Sequence, residues 1–135
     1  MKIVLDTNVL VSGIFFSGPP SQILVAWQDG MVHLVTSAEI LDEYVRVVDE
    51  LSGRYPDLEA DSILAVIAAN IELVEPIELD EQVCSDPDDD KFIACALAAR
   101  AKVIVSGDRH LLRASDYRGV KVVRPRVFVD SLPEK

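Results

Sequence analysis

Short runs of branched apolar residues alternate along the chain with longer segments whose apolar residues recur at helical spacing. The clearest runs are residues 3–5 and 103–105, and each is followed directly by polar residues. Three consecutive apolar residues are typical of a strand buried on both faces, as in a parallel sheet covered by helices. Strands that alternate with helices predict an α/β fold with right-handed crossovers.

Five strands and seven helices are predicted in this way. Thr7 and Asn8 are expected to cap the first helix, and Thr36 with Glu39 fits a capping box for the third, a helix of about 15 residues. The predicted strands are residues 3–5, 31–35, 71–74, 103–105 and 120–123. The other predicted helices are residues 9–16, 21–28, 58–70, 109–113 and 127–132, and one that follows the acidic residues 86–90 through Leu97.

Length, composition and cysteine content predict one soluble domain. The chain has 135 residues, half of them hydrophobic, which is enough for one substantial core. Its apolar runs are too short to span a membrane, and the N-terminus lacks the layout of a signal peptide. Cys84 and Cys95 have neither a disulfide pattern nor a zinc-ligand spacing. We therefore expect a cytoplasmic protein with reduced thiols.

Charge is distributed unevenly along the chain. The formal net charge is −10, which by itself argues against binding to nucleic acid. Residues 1–90 carry 3 basic and 19 acidic side chains, however, whereas residues 91–135 carry 10 basic and 4 acidic side chains. Such asymmetry is a hint of contact with nucleic acid or a partner, and a solvated surface is the alternative explanation.

Two aspartates follow the two clearest strands. Asp6 comes directly after residues 3–5, and Asp108 comes shortly after residues 103–105. The carboxyl ends of parallel strands meet at one edge of the sheet, where open α/β sheets bind ligands. Aspartate also makes turns and caps helices, so either residue alone is ambiguous. Their matching positions predict that both carboxylates lie at the same edge.

Two further acids are directed toward the interior on a helical wheel. Glu43 falls on the flank of the apolar arc of its helix, and Asp89 falls within the apolar sector of the helix that follows residues 86–90. Asp88 and Asp90 fall to either side of that sector, which favours Asp89, although Asp90 remains an alternative. A carboxylate at a buried face is costly unless something stabilises it.

A cation would provide that stabilisation. Several converging carboxylates repel one another unless a positive charge lies between them. Ligation by oxygen alone suits Mg²⁺ or Mn²⁺, which are commonly bound by a few carboxylates together with substrate phosphate. One or two such ions can activate water and stabilise charge on a phosphoryl oxygen. The pattern therefore predicts phosphodiester hydrolysis.

Four parts of the chain together resemble the PIN-domain ribonucleases, and most closely the VapC-like toxins of toxin–antitoxin pairs. They are residues 6–10 (DTNVL), Glu43, residues 86–92 (DPDDDKF) and residues 105–112 (VSGDRHLL). The resemblance covers essentially the whole chain and implies a three-layer α/β/α domain with a five-stranded parallel sheet. It further implies Mg²⁺- or Mn²⁺-dependent cleavage of single-stranded RNA, homodimers, and inhibition by a small antitoxin protein.

The resemblance also implies roles for individual residues. Its acidic positions match Asp6, Glu43, Asp89 and Asp108 as catalytic residues. Of these, Asp6, Asp89 and Asp108 would bind the metal directly or through water, and Glu43 would be a further ligand or orient the nucleophilic water. Supporting roles fall to Thr7, Asn8, Asp90 and Ser106. On this hypothesis the basic C-terminal third contacts RNA phosphates through Lys91, Arg109 and Arg113.

Other classes of protein with a related sheet fit less well. A haloacid-dehalogenase-type phosphotransferase needs a second aspartate two residues after the first, where this chain has Asn8. A receiver domain needs a phosphorylatable aspartate after its third strand, which here ends in Val74-Glu75-Pro76. The remaining alternative is a PIN-fold module that binds RNA or a protein without cleaving RNA.

Overall fold

Five parallel strands form the centre of the molecule. The computed structural model describes residues 1–133. The strands are β1 (Lys2–Leu5), β2 (His33–Thr36), β3 (Glu72–Leu73), β4 (Val103–Val105) and β5 (Lys121–Val123), in the spatial order β3-β2-β1-β4-β5. Val4 of the central strand pairs with Val35 on one side and Ile104 on the other. The predicted α/β fold with a five-stranded parallel sheet is confirmed.

Within residues 1–133, seven helices connect and follow the strands. They are α1 (Thr7–Phe15), α2 (Pro19–Gln28), α3 (Ala38–Ser52), α4 (Ala60–Asn70), α5 (Asp90–Ala99), α6 (Arg109–Leu112) and α7 (Pro125–Ser131). A 3₁₀ turn, Pro87–Asp89, leads directly into α5. Each predicted helix is present, with ends that differ from the prediction by a few residues.

Helices cover both faces of the sheet. Ile3, Val4 and Leu5 are at most 1% exposed, although their side chains point alternately to opposite faces. Helix α5 packs across β1, β2 and β4, whereas α1 packs against α2, α3 and α4. The central strand is therefore shielded from water on both sides, and its carboxyl end is directed toward one edge of the sheet.

Two of the predicted helix caps are wrong. Helix α1 already begins at Thr7, after Asp6, and the Thr7 hydroxyl donates a hydrogen bond to Glu43 on α3 instead of capping its own helix. At α3 the cap is Ser37 and not Thr36, since the Ser37 hydroxyl accepts the Ile40 N–H at 3.4 Å. Adjacent hydroxyl residues look alike in sequence, so the register of a cap depends on where the strand stops.

Strand β3 is shorter than predicted. It comprises only two residues at the edge of the sheet, and the Val74 N–H adds one more hydrogen bond to the Thr36 carbonyl at 2.9 Å. Pro76 follows closely and has no N–H to continue the ladder. A short strand of this kind leaves little unpaired backbone at the edge.

No single helix among residues 1–133 is both long enough and apolar enough to cross a membrane. The consecutive helices α1 and α2 reach the required length and composition only as a pair, with a bend of 88° between them. Both contribute side chains to the core, since Leu10 and Ile23 are fully buried.

Tyr44 joins α3 to the end of the central strand. Its side chain is fully buried, and its hydroxyl donates a hydrogen bond to the Leu5 carbonyl at 2.6 Å. Burial raises the pKa of this hydroxyl well above its usual value, so it is protonated and remains a donor at neutral pH. The bond fixes the last residue of β1 immediately before Asp6.

Tyr44→Phe should therefore lower the free energy of unfolding by about 1–2 kcal/mol, because the buried Leu5 carbonyl loses its donor. Urea denaturation measures the change. Tyr55→Phe is the matched control, since Tyr55 is 39% exposed and its hydroxyl has no hydrogen-bond partner within residues 1–133. The control should stay within about 0.5 kcal/mol of the parent. Equal stability of the Tyr44→Phe protein and the parent would contradict the role given to this bond.

Candidate functional site

Buried polar residues concentrate at the carboxyl edge of the sheet. Asp6 and Thr7 follow β1, Thr36 and Ser37 lie at the end of β2, and Ser106 follows β4. Burying polar side chains is costly unless each has a partner. Within residues 1–133 every buried side-chain nitrogen or oxygen has a hydrogen-bond partner. This edge is thus a polar site built into an apolar core.

Asp6 is held at the end of the central strand by its neighbour on β4. Asp6 is only 8% exposed, and its Oδ2 atom accepts a hydrogen bond from the Ser106 hydroxyl at 2.6 Å. Burial raises the pKa of the Asp6 carboxyl, and the Ser106 hydroxyl opposes that rise. The charges of Asp108 and Glu43 raise the pKa further. Asp6 is therefore a buried acid in the field of other acids.

Asp108 lies beside Asp6 because Ser106 contacts both residues. The Ser106 hydroxyl accepts the Asp108 N–H at 2.9 Å. The Asp108 Oδ1 atom accepts the N–H groups of His110 and Leu111 at 2.7 and 3.2 Å, which makes Asp108 the cap of α6. These bonds fix the backbone and one oxygen of Asp108. Ser106, predicted as a supporting residue, thus connects two of the acids.

Asp89 is the third acid that interacts with the other carboxylates at this edge. It is the last residue of the 3₁₀ turn, and burial raises the pKa of its carboxyl to about 6. The charges of Asp108, Asp86 and Asp6 add to the rise. Within the described part of the chain the Asp89 side chain makes no hydrogen bond or ion pair. Its carboxylate is therefore close to Asp6 and Asp108 without a protein partner of its own.

Asp90 has a different role from Asp89. Its two carboxylate oxygens accept the backbone N–H groups of Val83 and Cys84 at 3.1 and 2.7 Å. The side chain thus fastens the segment before the 3₁₀ turn to the start of α5. The placement of these two neighbours agrees with the helical wheel, which directed Asp89 toward the site.

Glu43 projects from α3 toward Asp6 and is enclosed by protein donors. The Thr7 hydroxyl donates to Glu43 Oε2, and the Lys91 ammonium lies 3.0 Å from Glu43 Oε1. Arg46, one turn along the helix, is 3.7 Å from the same oxygen and largely exposed. Thr7, predicted as a supporting residue, thus contacts Glu43. Asn8, also predicted as supporting, is exposed in the first turn of α1.

Lys91 does not lie where an RNA contact would need it. Its side chain is only 6% exposed, and its ammonium is bonded to Glu43 and Asp88. The prediction that Lys91 contacts RNA phosphates is corrected accordingly, because the ammonium is directed into the protein. Arg109 and Arg113 are exposed at and just after α6, next to Asp108.

Two features of this edge were missed from the sequence. The first is Tyr44, which was assigned only to the apolar face of α3. The second is the pair formed by Ser85 Oγ and His110 Nδ1, which are 2.7 Å apart and link the segment before the 3₁₀ turn to α6. His110 stands beside the capping Asp108 in sequence, which is the one signal that could have drawn attention to it.

The acids interact without forming a closed cage. Within residues 1–133 no three histidine, cysteine, aspartate or glutamate side chains are grouped tightly enough to enclose a metal ion. The charge of Asp108 nevertheless raises the pKa of both Asp6 and Asp89, and the charge of Asp6 raises the pKa of Asp89. The site is thus a set of neighbouring carboxylates with separate supports.

Comparison with known proteins places this site in a family. The family model described as "PIN domain" matches residues 2–110, which include all four predicted acids. The chain belongs to the PIN-domain family. PIN domains are generally nucleases, and PIN nucleases typically use divalent metal ions.

Two similar proteins cover nearly all of this PIN domain. An uncharacterized protein of Methanocaldococcus jannaschii, MJ1680, is 28% identical, and the match spans 96% of this chain and 90% of the relative. The crystal structure of PAE2754 from Pyrobaculum aerophilum superposes with a TM-score of 0.61 at 14% identity. That match spans 96% of this chain and 86% of PAE2754, and it supports the fold.

Asp89→Asn should make the protein more stable in EDTA at pH 7. Because the folded state raises the pKa of Asp89 from 3.8 to about 6, ionisation of this group destabilises the folded protein. The stabilising effect of Asn should be largest above pH 6 and should shrink as the pH falls toward 3.8, where Asp89 is protonated in both states. Thermal melts across this range measure it.

Asp90→Asn is the matched contrast for this measurement. It removes the same charge one residue away, but it also replaces an oxygen that accepts a backbone N–H, so it should destabilise the protein by about 1–3 kcal/mol. If both variants changed stability in the same direction at pH 7, the separate roles given to Asp89 and Asp90 would be wrong.

Proposed function

We propose that this PIN domain is a metal-dependent endoribonuclease that hydrolyses phosphodiester bonds of single-stranded RNA. The observation that carries the proposal is the grouping of Asp6, Asp89 and Asp108 at the carboxyl edge of the sheet, where the charge of Asp108 raises the pKa of Asp6 and Asp89 and the charge of Asp6 raises that of Asp89. Proteins seldom retain mutually repelling, partly buried carboxylates without a use for their charge. A cation-dependent reaction supplies that use.

The donor set fits Mg²⁺ or Mn²⁺. All three carboxylates offer oxygen ligands, and the described residues of the edge add no thiolate, since Cys84 and Cys95 are buried and burial raises the pKa of both thiols to about 12. Asp6, Asp89 and Asp108 would hold the ion. A bound divalent ion lowers the pKa of a water molecule and stabilises charge on a phosphoryl oxygen.

The residues around the acids keep them in place. Ser106 fixes Asp6 and the backbone of Asp108, and the first N–H groups of α6 hold one oxygen of Asp108. Asp90 anchors the turn that carries Asp89. Side chains that are fixed before substrate arrives lose little entropy on binding, which is the main contribution a protein makes to this chemistry.

RNA would approach along α6. Arg109 and Arg113 are exposed close to Asp108, and arginine binds phosphate oxygens through two parallel hydrogen bonds. Phosphate contacts dominate the affinity for nucleic acid and carry no sequence information. The acidic remainder of the chain repels RNA from other surfaces, so binding should be confined to this edge.

Asp6→Asn should reduce cleavage of an unstructured, fluorescently labelled RNA by at least ~100-fold, the scale of loss when a group that stabilises transition-state charge is removed. The assay titrates Mg²⁺ and Mn²⁺ and follows cleavage and RNA binding together. Asp42→Asn is the control, because Asp42 is exposed on α3 one residue from Glu43. Metal-dependent binding without cleavage would indicate a non-catalytic RNA-binding module, and full cleavage by purified Asp6→Asn protein would exclude the mechanism.

We further propose that the nuclease is the toxin of a toxin–antitoxin pair, acts in the cytoplasm as a homodimer, and is inhibited by a small antitoxin protein. The support is the resemblance of residues 6–10, 86–92 and 105–112 to VapC-like toxins. Expression of the parent chain alone in a bacterial host should slow growth and degrade cellular RNA, and expression of Asp6→Asn should do neither. Equal growth with both chains would contradict the toxin role.

A further inference from the structure

Lys91 is a buried lysine in the first turn of α5, and its side chain is only 6% exposed. Its ammonium lies 3.0 Å from Glu43 Oε1, 2.9 Å from Asp88 Oδ2 and 3.0 Å from the Asp88 carbonyl oxygen. An ammonium has three N–H donors, and here each has an acceptor. Burying a lysine is costly unless its charge is paired. The Lys91 ammonium therefore stabilises the negative charges of Glu43 and Asp88.

Glu43 is the carboxylate most affected by this lysine. One of its oxygens lies 3.0 Å from the buried Lys91 ammonium and 3.7 Å from the exposed Arg46, and the other accepts the hydrogen bond of Thr7. A carboxylate that accepts donors on both oxygens is poorly placed to become a metal ligand as well. Asp89 shows the opposite arrangement, since within residues 1–133 its side chain has no hydrogen-bond or ion-pair partner. Among these four acids, only Glu43 is paired with an ammonium or guanidinium group of the described residues.

A second divalent ion that binds Glu43 would have to compete with the Lys91 ammonium for this carboxylate. In two-metal sites the ions lie about 4 Å apart and share carboxylates, and Glu43 is the acid available beyond Asp6, Asp89 and Asp108. An ion bound to Glu43 would stand within roughly 5 Å of the Lys91 ammonium, given oxygen–metal distances of about 2 Å. At that separation, in a partly buried site, two positive charges repel strongly.

We propose that Lys91 acts as a built-in second cation, so that the site takes one divalent ion per chain. This inference rests on the proposed metal-dependent function. Lys91 is a positioning residue, because it acts through Glu43 and through the Asp88 backbone next to Asp89. Asp6, Asp89 and Asp108 hold the ion, and Glu43 keeps a fixed orientation beside Asp6.

The number of Mn²⁺ ions bound tests the proposal directly. Calorimetric titration of the full chain with MnCl₂, together with the loss of the free Mn²⁺ signal in electron paramagnetic resonance, should give one ion per chain for the parent. Lys91→Met removes the buried cation 3.0 Å from Glu43 and the repulsion it causes, and leaves only the largely exposed Arg46 at 3.7 Å, so this variant should bind two. Lys91→Arg retains the charge and should bind one. The double variant Lys91→Met/Glu43→Gln should also bind one, because the freed ligand is gone.

RNA cleavage is measured on the same preparations so that two kinds of failure are distinguished. Two ions on a parent chain that cleaves RNA would overturn the one-ion inference and leave the proposed function intact. One ion on a folded Lys91→Met chain would overturn the role of Lys91. No bound ion and no cleavage by the parent would overturn the proposed function together with the inference. The parent count decides the proposal by itself if thermal melts show that Lys91→Met does not fold.

Discussion

A negative charge buried at the end of the central strand is the constraint on which the rest of this site depends. Asp6 follows a strand that is shielded on both faces, so its position is fixed by the core. The surrounding residues reduce the cost of that burial with a hydroxyl from Ser106. Two other neighbours, Asp108 and Glu43, increase the cost of burying Asp6, because their negative charges repel its own. A fold that maintains both effects at one edge is adapted to attract a cation.

The acids share a charge and differ in what supports them. Asp108 is fixed by the start of a helix, Glu43 by a hydroxyl and an ammonium, and Asp90 by two backbone donors. Within residues 1–133 the Asp89 side chain has no hydrogen-bond or ion-pair partner, and only the more distant charge of Lys91 lowers the pKa of its carboxyl. Charge alone therefore does not tell which acid performs chemistry. The partners of each carboxylate show which ones are already committed to the structure of the protein.

Much of this organisation was predictable because it is local. The strand 103–105 was recognised from three branched residues, and the orientation of Asp89 from the spacing of its helix. Contacts between distant parts of the chain were not predictable. The Thr7–Glu43 bond spans 36 residues and the Tyr44–Leu5 bond spans 39. The ion pair of Lys91 with Glu43 was missed for the same reason, since Glu43 lies on another helix.

Four consecutive residues at the head of α5 have four different tasks. Asp88 pairs with Lys91, Asp89 faces the other site acids, Asp90 holds the preceding segment, and Lys91 reaches Glu43. Each residue of a helix is rotated by about 100° from the one before it, so inserting or deleting one residue here would reassign every task at once. Natural variation in this segment should thus occur by substitution, while changes in length accumulate in the connection before Val83.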